Sequence, residues 1–184
     1  NYFSYANTTG HGIIGKHNLS KHNLTFRETS VLLNSRLKLD GSMNLMRQVV
    51  KNKPTVGGFY MNPLVGLYRF PRGEDIAYYK ENFEVYDEGR NLNIQNWHTS
   101  YEDFEQNPYW ITNRILSKEN RMHVIVSLSA NLKINDWLSL QARGNVDYIN
   151  DKVRQQFYAS TAPALAGANG RYIEMDYQET QIGR

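Results

Sequence analysis

The chain has 184 residues, with 21 Lys and Arg against 18 Asp and Glu, so its formal net charge is +3. That excess of positive charge is too small to indicate nucleic-acid binding by itself. The absence of cysteine excludes disulfides, zinc ribbons, iron–sulfur clusters and a cysteine nucleophile, and no apolar run approaches the roughly 20 residues that a membrane-spanning helix needs.

The first part of the chain predicts three strands. It opens on Asn1 without a methionine or a signal peptide and ends at Arg184 without the character of a natural terminus, so we expect a piece of a longer protein. We predict strands over 1–6, 20–33 and 36–50, because apolar residues there alternate with polar ones. A short polar link near 34–36 joins the second strand to the third.

The second part of the chain repeats this pattern after a long interval. Residues 51–120 lack clear alternation and are predicted to form one long loop. Strands are then predicted over 121–134 and 137–150, joined by a tight turn, with a further strand over 171–182. From Leu138 to Tyr148 apolar or small residues alternate strictly with polar ones.

The connections between these strands differ in length at the two ends. The links near 34–36 and 133–137 are short, whereas 7–20 and 51–120 are long. Short turns at one end and long loops at the other are typical of an outer-membrane barrel. A soluble antiparallel β-protein with one wet face, such as a β-sandwich that binds glycans, produces the same alternation and remains the alternative.

Several motifs carry little functional weight. Residues 10–15 match G-x-G-x-x-G, but a strand pattern rather than a helix follows them, so a dinucleotide site is not expected. The histidines at 11, 17 and 22 have lysine neighbours that repel a metal cation. The paired acids at 74–75, 87–88 and 102–103 have no catalytic motif around them. We therefore expect no enzymatic activity, no metal and no cofactor.

The predicted long loop is rich in aromatic residues, including Tyr101 and Phe104. Aromatic faces beside amide, carboxylate and guanidinium groups suit the binding of sugars or peptides, while packing of the loop against itself is the alternative. The candidate residues for contact with substrate or a partner are Tyr68, Arg72, Asp75, Trp97, Tyr109 and Trp110. The candidate lumen-facing residues on the strands are Lys38, Asp40, Arg143 and Asp147.

Four blocks of sequence resemble one family. They are Asn62-Pro63-Leu64-Val65-Gly66-Leu67-Tyr68-Arg69-Phe70-Pro71-Arg72-Gly73-Glu74-Asp75, Gln106-Asn107-Pro108-Tyr109-Trp110-Ile111 with Asn113-Arg114, Asp136-Trp137-Leu138 and Tyr158-Ala159-Ser160-Thr161. In order and spacing, over about 2–177, the chain resembles the SusC/RagA family of TonB-dependent outer-membrane transporters. The first two blocks are the more specific.

The resemblance implies an all-β fold, namely a segment of a large antiparallel transmembrane barrel of 22 strands with long extracellular loops. It implies active import of a nutrient, an oligosaccharide or in some members a peptide, across the Gram-negative outer membrane. The implied partners are a SusD-like surface lipoprotein, the TonB complex acting through a plug domain, the remainder of the barrel and outer-membrane lipid, and no nucleic acid. Set against that family, the sequence is expected to be an internal barrel segment without the plug, the TonB box or enough strands to close a barrel.

Overall fold

In a computed structural model the described residues are 1–55, 60–99 and 105–183. The acidic pair at 102–103 and the aromatic residues Tyr101 and Phe104 lie outside them. Of the helices in these ranges, none has the length and apolar character to cross a bilayer.

Six long strands form one antiparallel sheet, which confirms the prediction of a mainly antiparallel β-protein. The sheet order is β1-β2-β3-β6-β7-β8, so each long strand lies beside its neighbour in the chain. These strands are β1 (Tyr2–His11), β2 (Asn18–Leu32), β3 (Leu37–Lys51), β6 (Ile115–Lys133), β7 (Ser139–Phe157) and β8 (Arg171–Gly183). Strands β1 and β8 are the sheet edges, and the sheet is open within the described residues.

The two short turns lie at one end of the sheet. Residues 33–36 join β2 to β3, with Leu33, Asn34 and Ser35 at positive φ, a conformation that lets the chain reverse within four residues. Residues 134–138 join β6 to β7, where the backbone N–H of Ile134 donates to the carbonyl of Leu138 at 3.0 Å. The longer connections, 12–17, 52–114 and 158–170, lie at the opposite end.

The region predicted as one long loop contains secondary structure of its own. It holds α1 (Pro63–Arg69), α2 (Ile76–Glu81), a hairpin of β4 (Glu84–Asp87) and β5 (Leu92–Gln95), and α3 (Pro108–Arg114). We call the described residues of 52–114 the insert. Strand β6 begins at Ile115, inside the predicted loop, and a short helix α4 (Pro163–Ala166) lies between β7 and β8.

The register gives the sheet two faces of different chemistry. Residues paired across antiparallel strands point to the same side, and successive residues alternate between sides. We call the side of Leu45, Val124 and Val146 the apolar face and the side of Asp40, His123 and Asp147 the polar face. The cluster of buried apolar side chains, Ile111, Ile115, Phe157 and Ala166, lies where the insert meets the polar side of the sheet.

Candidate functional site: a two-faced sheet and its insert

An apolar band crosses the apolar face near the short turns. It consists of five rungs, a rung being the residues paired across neighbouring strands. They are Leu32–Leu37–Leu132–Leu140, Ser30–Leu39–Ala130–Ala142, Glu28–Gly41–Leu128–Gly144, Phe3–Phe26–Met43–Val126–Val146–Ile182 and Tyr5–Leu24–Leu45–Val124–Tyr148–Thr180. On β6 the band runs from Val124 to Leu132, about 27 Å along the strand at roughly 3.4 Å per residue.

No described element buries this band. Leu128 is 65% exposed, Leu140 60% and Ile182 78%. The buried apolar residues of the described chain lie instead in the insert, in the connection that carries α4, or on the polar side of the strand ends. A contiguous apolar surface of this extent needs an apolar environment or a partner to cover it.

Aromatic residues lie at both margins of the band. Tyr5 stacks on His22, with ring centroids 6.1 Å apart, and its hydroxyl is 2.7 Å from His22 Nδ1. Tyr148 is on the same rung as Tyr5. At the opposite margin Trp137, in the 134–138 turn, is 83% exposed.

Apart from Thr180 at its margin, the band has one polar interruption, on β2. Glu28 and Ser30 point to the apolar face, and the hydroxyl of Ser30 donates to Glu28 Oε1 at 3.4 Å. Glu28 pairs with Gly41, and a Cβ at Gly41 would lie 3.2 Å from Leu128 Cδ2, so Leu128 leans over this glycine. The interruption lies beyond the paired part of β1, at the edge of the sheet.

The polar face carries all four residues predicted to face a lumen. Asp40 and Arg143 both pair with Ser129 and so share one rung, Lys38 lies one rung nearer the short turns, and Asp147 pairs with Ile125. Asp40 accepts from Arg27 Nη2 at 2.9 Å and from the hydroxyl of Thr29 at 2.7 Å.

Further side-chain contacts tie neighbouring strands together on the polar face. His123 Nε2 lies 2.7 Å from Asp147 Oδ1, and Asn44 donates to the hydroxyl of Thr25 at 2.8 Å. Side-chain hydrogen bonds therefore link neighbouring strands across the polar face, and its polar groups can remain in contact with water or a polar neighbour.

A buried carboxylate organises one side of the insert. Glu105, whose side chain is 2% exposed, lies with its oxygens 2.9 Å from His98 Nε2 and 3.1 Å from Arg69 Nε. Neither contact has the alignment of a hydrogen bond. The indole N–H of Trp97 donates to Glu105 at 3.3 Å. Phe70 and Trp97, with ring centroids 5.2 Å apart, complete an aromatic shell.

The second sequence block of the family resemblance forms a buried hydrogen-bond network. The side-chain amide of Asn107 donates to the carbonyls of Tyr79 and Asn96 at 2.9 and 2.8 Å, and its oxygen caps α3 by accepting from the backbone N–H of Tyr109 at 2.8 Å. Gln106 accepts from the backbone N–H of Ala162 at 2.9 Å. This block therefore joins distant segments of chain.

The candidate contact residues of the insert fall into different environments. Tyr68 is 86% exposed, Arg72 is exposed, and Tyr109 is half-buried. The carboxylate of Asp75 accepts from the backbone N–H of Ala77 at 2.8 Å and so caps α2.

The two candidate tryptophans are enclosed. Trp97 is 9% exposed and Trp110 only 1%, and the indole N–H of Trp110 donates to the hydroxyl of Thr161 at 3.1 Å. Both tryptophans therefore pack inside the insert, which was the alternative to a binding role for its aromatic residues. The exposed candidates are therefore Tyr68, Arg72 and Asp75, and of these Asp75 is engaged in capping α2.

Arg114, which the sequence analysis named only within a block of the family resemblance and gave no role, fastens the insert. Its guanidinium makes two hydrogen bonds to Glu84, at 2.7 and 2.6 Å, and lies over the rings of Phe83 and Tyr158 at 5.6 and 5.1 Å. The bonds to Glu84 raise the pKa of Arg114 further above its already high value. No local pattern signals this pair, because 30 residues separate its members.

The motifs that carried little weight have ordinary structural roles. Residues 10–15 end β1 and enter a turn, in which the backbone N–H of Gly12 donates to the carbonyl of His17 at 2.9 Å, and β2 rather than a helix follows. His11 Nδ1 lies 2.5 Å from Asn18 Oδ1. Among residues 1–55, 60–99 and 105–183, no cluster of three His, Asp or Glu could hold a metal ion.

No known protein-family model matches the chain, and no curated protein matches it significantly in sequence.

Proposed function

We propose that this chain is a wall segment of an outer-membrane barrel that imports a nutrient, as the resemblance to the SusC/RagA transporters implies. The observation that carries the proposal is the uncovered apolar band opposite a polar face on one continuous antiparallel sheet. In this arrangement the apolar face meets lipid and the polar face meets the lumen or the plug domain.

The dimensions of the band support this proposal. Membrane-spanning strands present about 9–11 residues to the bilayer at a tilt near 45°, in an apolar layer about 25 Å tall with aromatic margins. The band on β6 covers 124–132, and Tyr5, Tyr148 and Trp137 lie at its margins. A β-sandwich would instead bury this face against a second sheet.

The open edges of the sheet indicate what the segment needs. β1 and β8 each have one unpaired side within the described residues. In hydrocarbon, unpaired backbone groups cost several kcal/mol each, roughly, so further strands must continue the sheet on both sides. Those strands, a plug domain and its TonB contact would belong to the remainder of the barrel.

The ends of the sheet suggest its orientation. Outer-membrane barrels have short periplasmic turns and longer extracellular loops. The turns at 33–36 and 134–138 would then be periplasmic, and the insert would face the cell exterior. Tyr68 and Arg72 are exposed on the insert, where they could contact an oligosaccharide, a peptide or a SusD-like lipoprotein.

Cysteine labelling of whole cells tests the orientation and the membrane location together. The 184 residues hold no cysteine, so Tyr68→Cys and Asp136→Cys, both at highly exposed side chains, each add the one cysteine of this segment, and labelling of the parental full-length protein is the control. A membrane-impermeant maleimide should label Tyr68→Cys in intact cells and Asp136→Cys only after the outer membrane is permeabilised. Equal labelling of the two sites, or the reverse order, would contradict the proposal, and equal labelling would favour a soluble glycan-binding module.

Transport itself is tested by uptake. Cells lacking the gene should fail to take up one class of compound from pools of oligosaccharides and peptides. Reintroducing the gene should restore uptake only while the inner membrane is energised. Uptake that persists without the inner-membrane energy source would contradict active import, even if the labelling places the chain in the outer membrane.

A further inference from the structure

A group of unpaired cations lies on the apolar face beyond the band, toward the long connections. Arg47 is one rung past Leu45, and Lys51 is two rungs further along β3. Lys118 on β6 is paired with Lys51. We call Arg47, Lys51 and Lys118 the cationic patch. All three side chains are exposed.

The patch contains an electrostatic conflict. Lys51 and Lys118 face each other directly on neighbouring strands, and directly opposed like charges destabilise a sheet. No carboxylate among the described residues lies within 4.0 Å of either ammonium or of Arg47. An anion bound between the two lysines would remove the repulsion.

The neighbouring carboxylates on this face are already paired. Asp176 lies 3.0 Å from Lys152, and Glu174 lies 3.0 Å from Arg154. Since Arg154 is itself paired with Lys118 across the strands, the row Lys51–Lys118–Arg154 holds three cations against the one carboxylate of Glu174. The surplus positive charge is therefore local to β3 and β6.

We propose that the cationic patch binds the anionic headgroup of a phosphorylated glycolipid in the outer leaflet. This inference rests on the proposed membrane location, because it needs the apolar band in hydrocarbon and the patch just outside it. The acyl chains of the lipid lie along the band, and its phosphates reach the patch. Guanidinium and ammonium groups form short, charge-assisted hydrogen bonds with phosphate oxygens.

The depth of the patch argues for a glycolipid rather than a simple phospholipid. Arg47 lies about 7 Å along the strand from Leu45, at the boundary of the band, whereas Lys51 and its partner Lys118 lie about 20 Å from it; at a strand tilt near 45° these are depths of about 5 and 14 Å. A headgroup with one phosphate at the acyl boundary reaches only the first position. A phosphorylated saccharide carries anionic groups at both depths.

Copurified lipid is the direct measure of this site. The full-length protein and its Lys51→Gln/Lys118→Gln variant would be extracted from outer membranes in mild detergent, and the bound phosphorylated glycolipid counted per protein by mass spectrometry. Loss of two charge-assisted contacts on an exposed surface should reduce the retained glycolipid by about tenfold. The matched control, Arg36→Gln/Lys133→Gln, also removes two positive charges but at the short turns, and should retain the parental amount.

The outcomes separate this inference from the proposed function. Unchanged glycolipid in the Lys51/Lys118 variant overturns the inference, and so does binding of inorganic phosphate alone as tight as that of the glycolipid, which indicates a site for a free anion. Cysteine labelling of Tyr68→Cys and Asp136→Cys in the same backgrounds reports the membrane location independently. If the two cysteine probes label as proposed and the amount of bound glycolipid is unchanged, only the lipid site at the cationic patch is rejected. If the probes do not label as proposed even with Lys51 and Lys118 intact, the membrane location is rejected, and the lipid site with it.

Discussion

Placing a charge on either face of one strand tests the proposal that the apolar face meets lipid. Val126 and Ile125 are neighbours on β6, both are β-branched and half-buried, and their side chains point to opposite faces. Val126 is in the fourth of the five rungs of the band, between Met43 and Val146. Ile125 pairs with Asp147 on the polar face.

The two arginine substitutions should differ sharply in cost. Arginine near the bilayer midplane destabilises a barrel by about 2–4 kcal/mol. Val126 lies one rung from the middle of the band, so Val126→Arg should cost about 2 kcal/mol, a reduction of about 30-fold in the folding equilibrium constant. Ile125→Arg places its guanidinium beside the carboxylate of Asp147 in a polar environment, so its cost should be about 1 kcal/mol or less.

Assembly in cells and unfolding in vesicles both report this difference. The full-length protein is expressed with each substitution, the heat-modifiable folded form is quantified in outer-membrane fractions, and urea unfolding is followed in lipid vesicles. Val126→Arg should deplete the folded form, and Ile125→Arg should resemble the parent. Equal cost at the two positions, or a greater cost at Ile125, would refute the assignment of the faces, since it would put the polar face against an apolar environment.

Three substitutions test the insert, each read by protease resistance or hydrogen exchange in intact outer membranes. Asn107→Asp removes the amide donor that serves two backbone carbonyls and should destabilise the insert by about 2 kcal/mol or more. The control, Asn62→Asp, keeps the side-chain acceptor that caps α1 and should be neutral. Equal effects of the two substitutions would contradict the hydrogen-bond network of Asn107. Trp110→Phe leaves the buried hydroxyl of Thr161 without its donor and should cost about 1–2 kcal/mol without altering the sheet. Unchanged protease resistance would show that this hydrogen bond does not stabilise the insert. Arg114→Ala should speed hydrogen exchange in β4 and β5 at a cost of about 1–3 kcal/mol, and exchange at the parental rate would show that the Glu84 pair does not hold the hairpin.

The strands of the large sheet were readable from the sequence because their signal is local. Strict alternation such as that from Leu138 to Tyr148 places every second side chain on one face, whatever the strand pairs with. The short links near 34–36 and 133–137 likewise indicated antiparallel neighbours. Strand ends were less readable: β6 begins at Ile115, where apolar and polar residues no longer alternate regularly.

The insert was not readable in the same way, because its stability comes from contacts between residues far apart in the chain. Asn107 bonds to the carbonyls of Tyr79 and Asn96, and Arg114 to Glu84, and no local pattern marks such pairs. The aromatic composition of residues 51–120 indicated a binding loop but did not distinguish aromatic residues that pack inside it from those on its surface. Burial separates Trp110, which is enclosed, from Tyr68, which is exposed.

The sequence by itself determined that this chain forms antiparallel strands with one apolar and one polar stripe, since alternation is a property of each strand alone. Only the tertiary structure decided that the stripes of six strands align into one continuous band and that the insert packs beside the polar side of the sheet. Register and long-range hydrogen bonds make that choice, because a shift of one residue between any two strands would place apolar and polar residues on the same face.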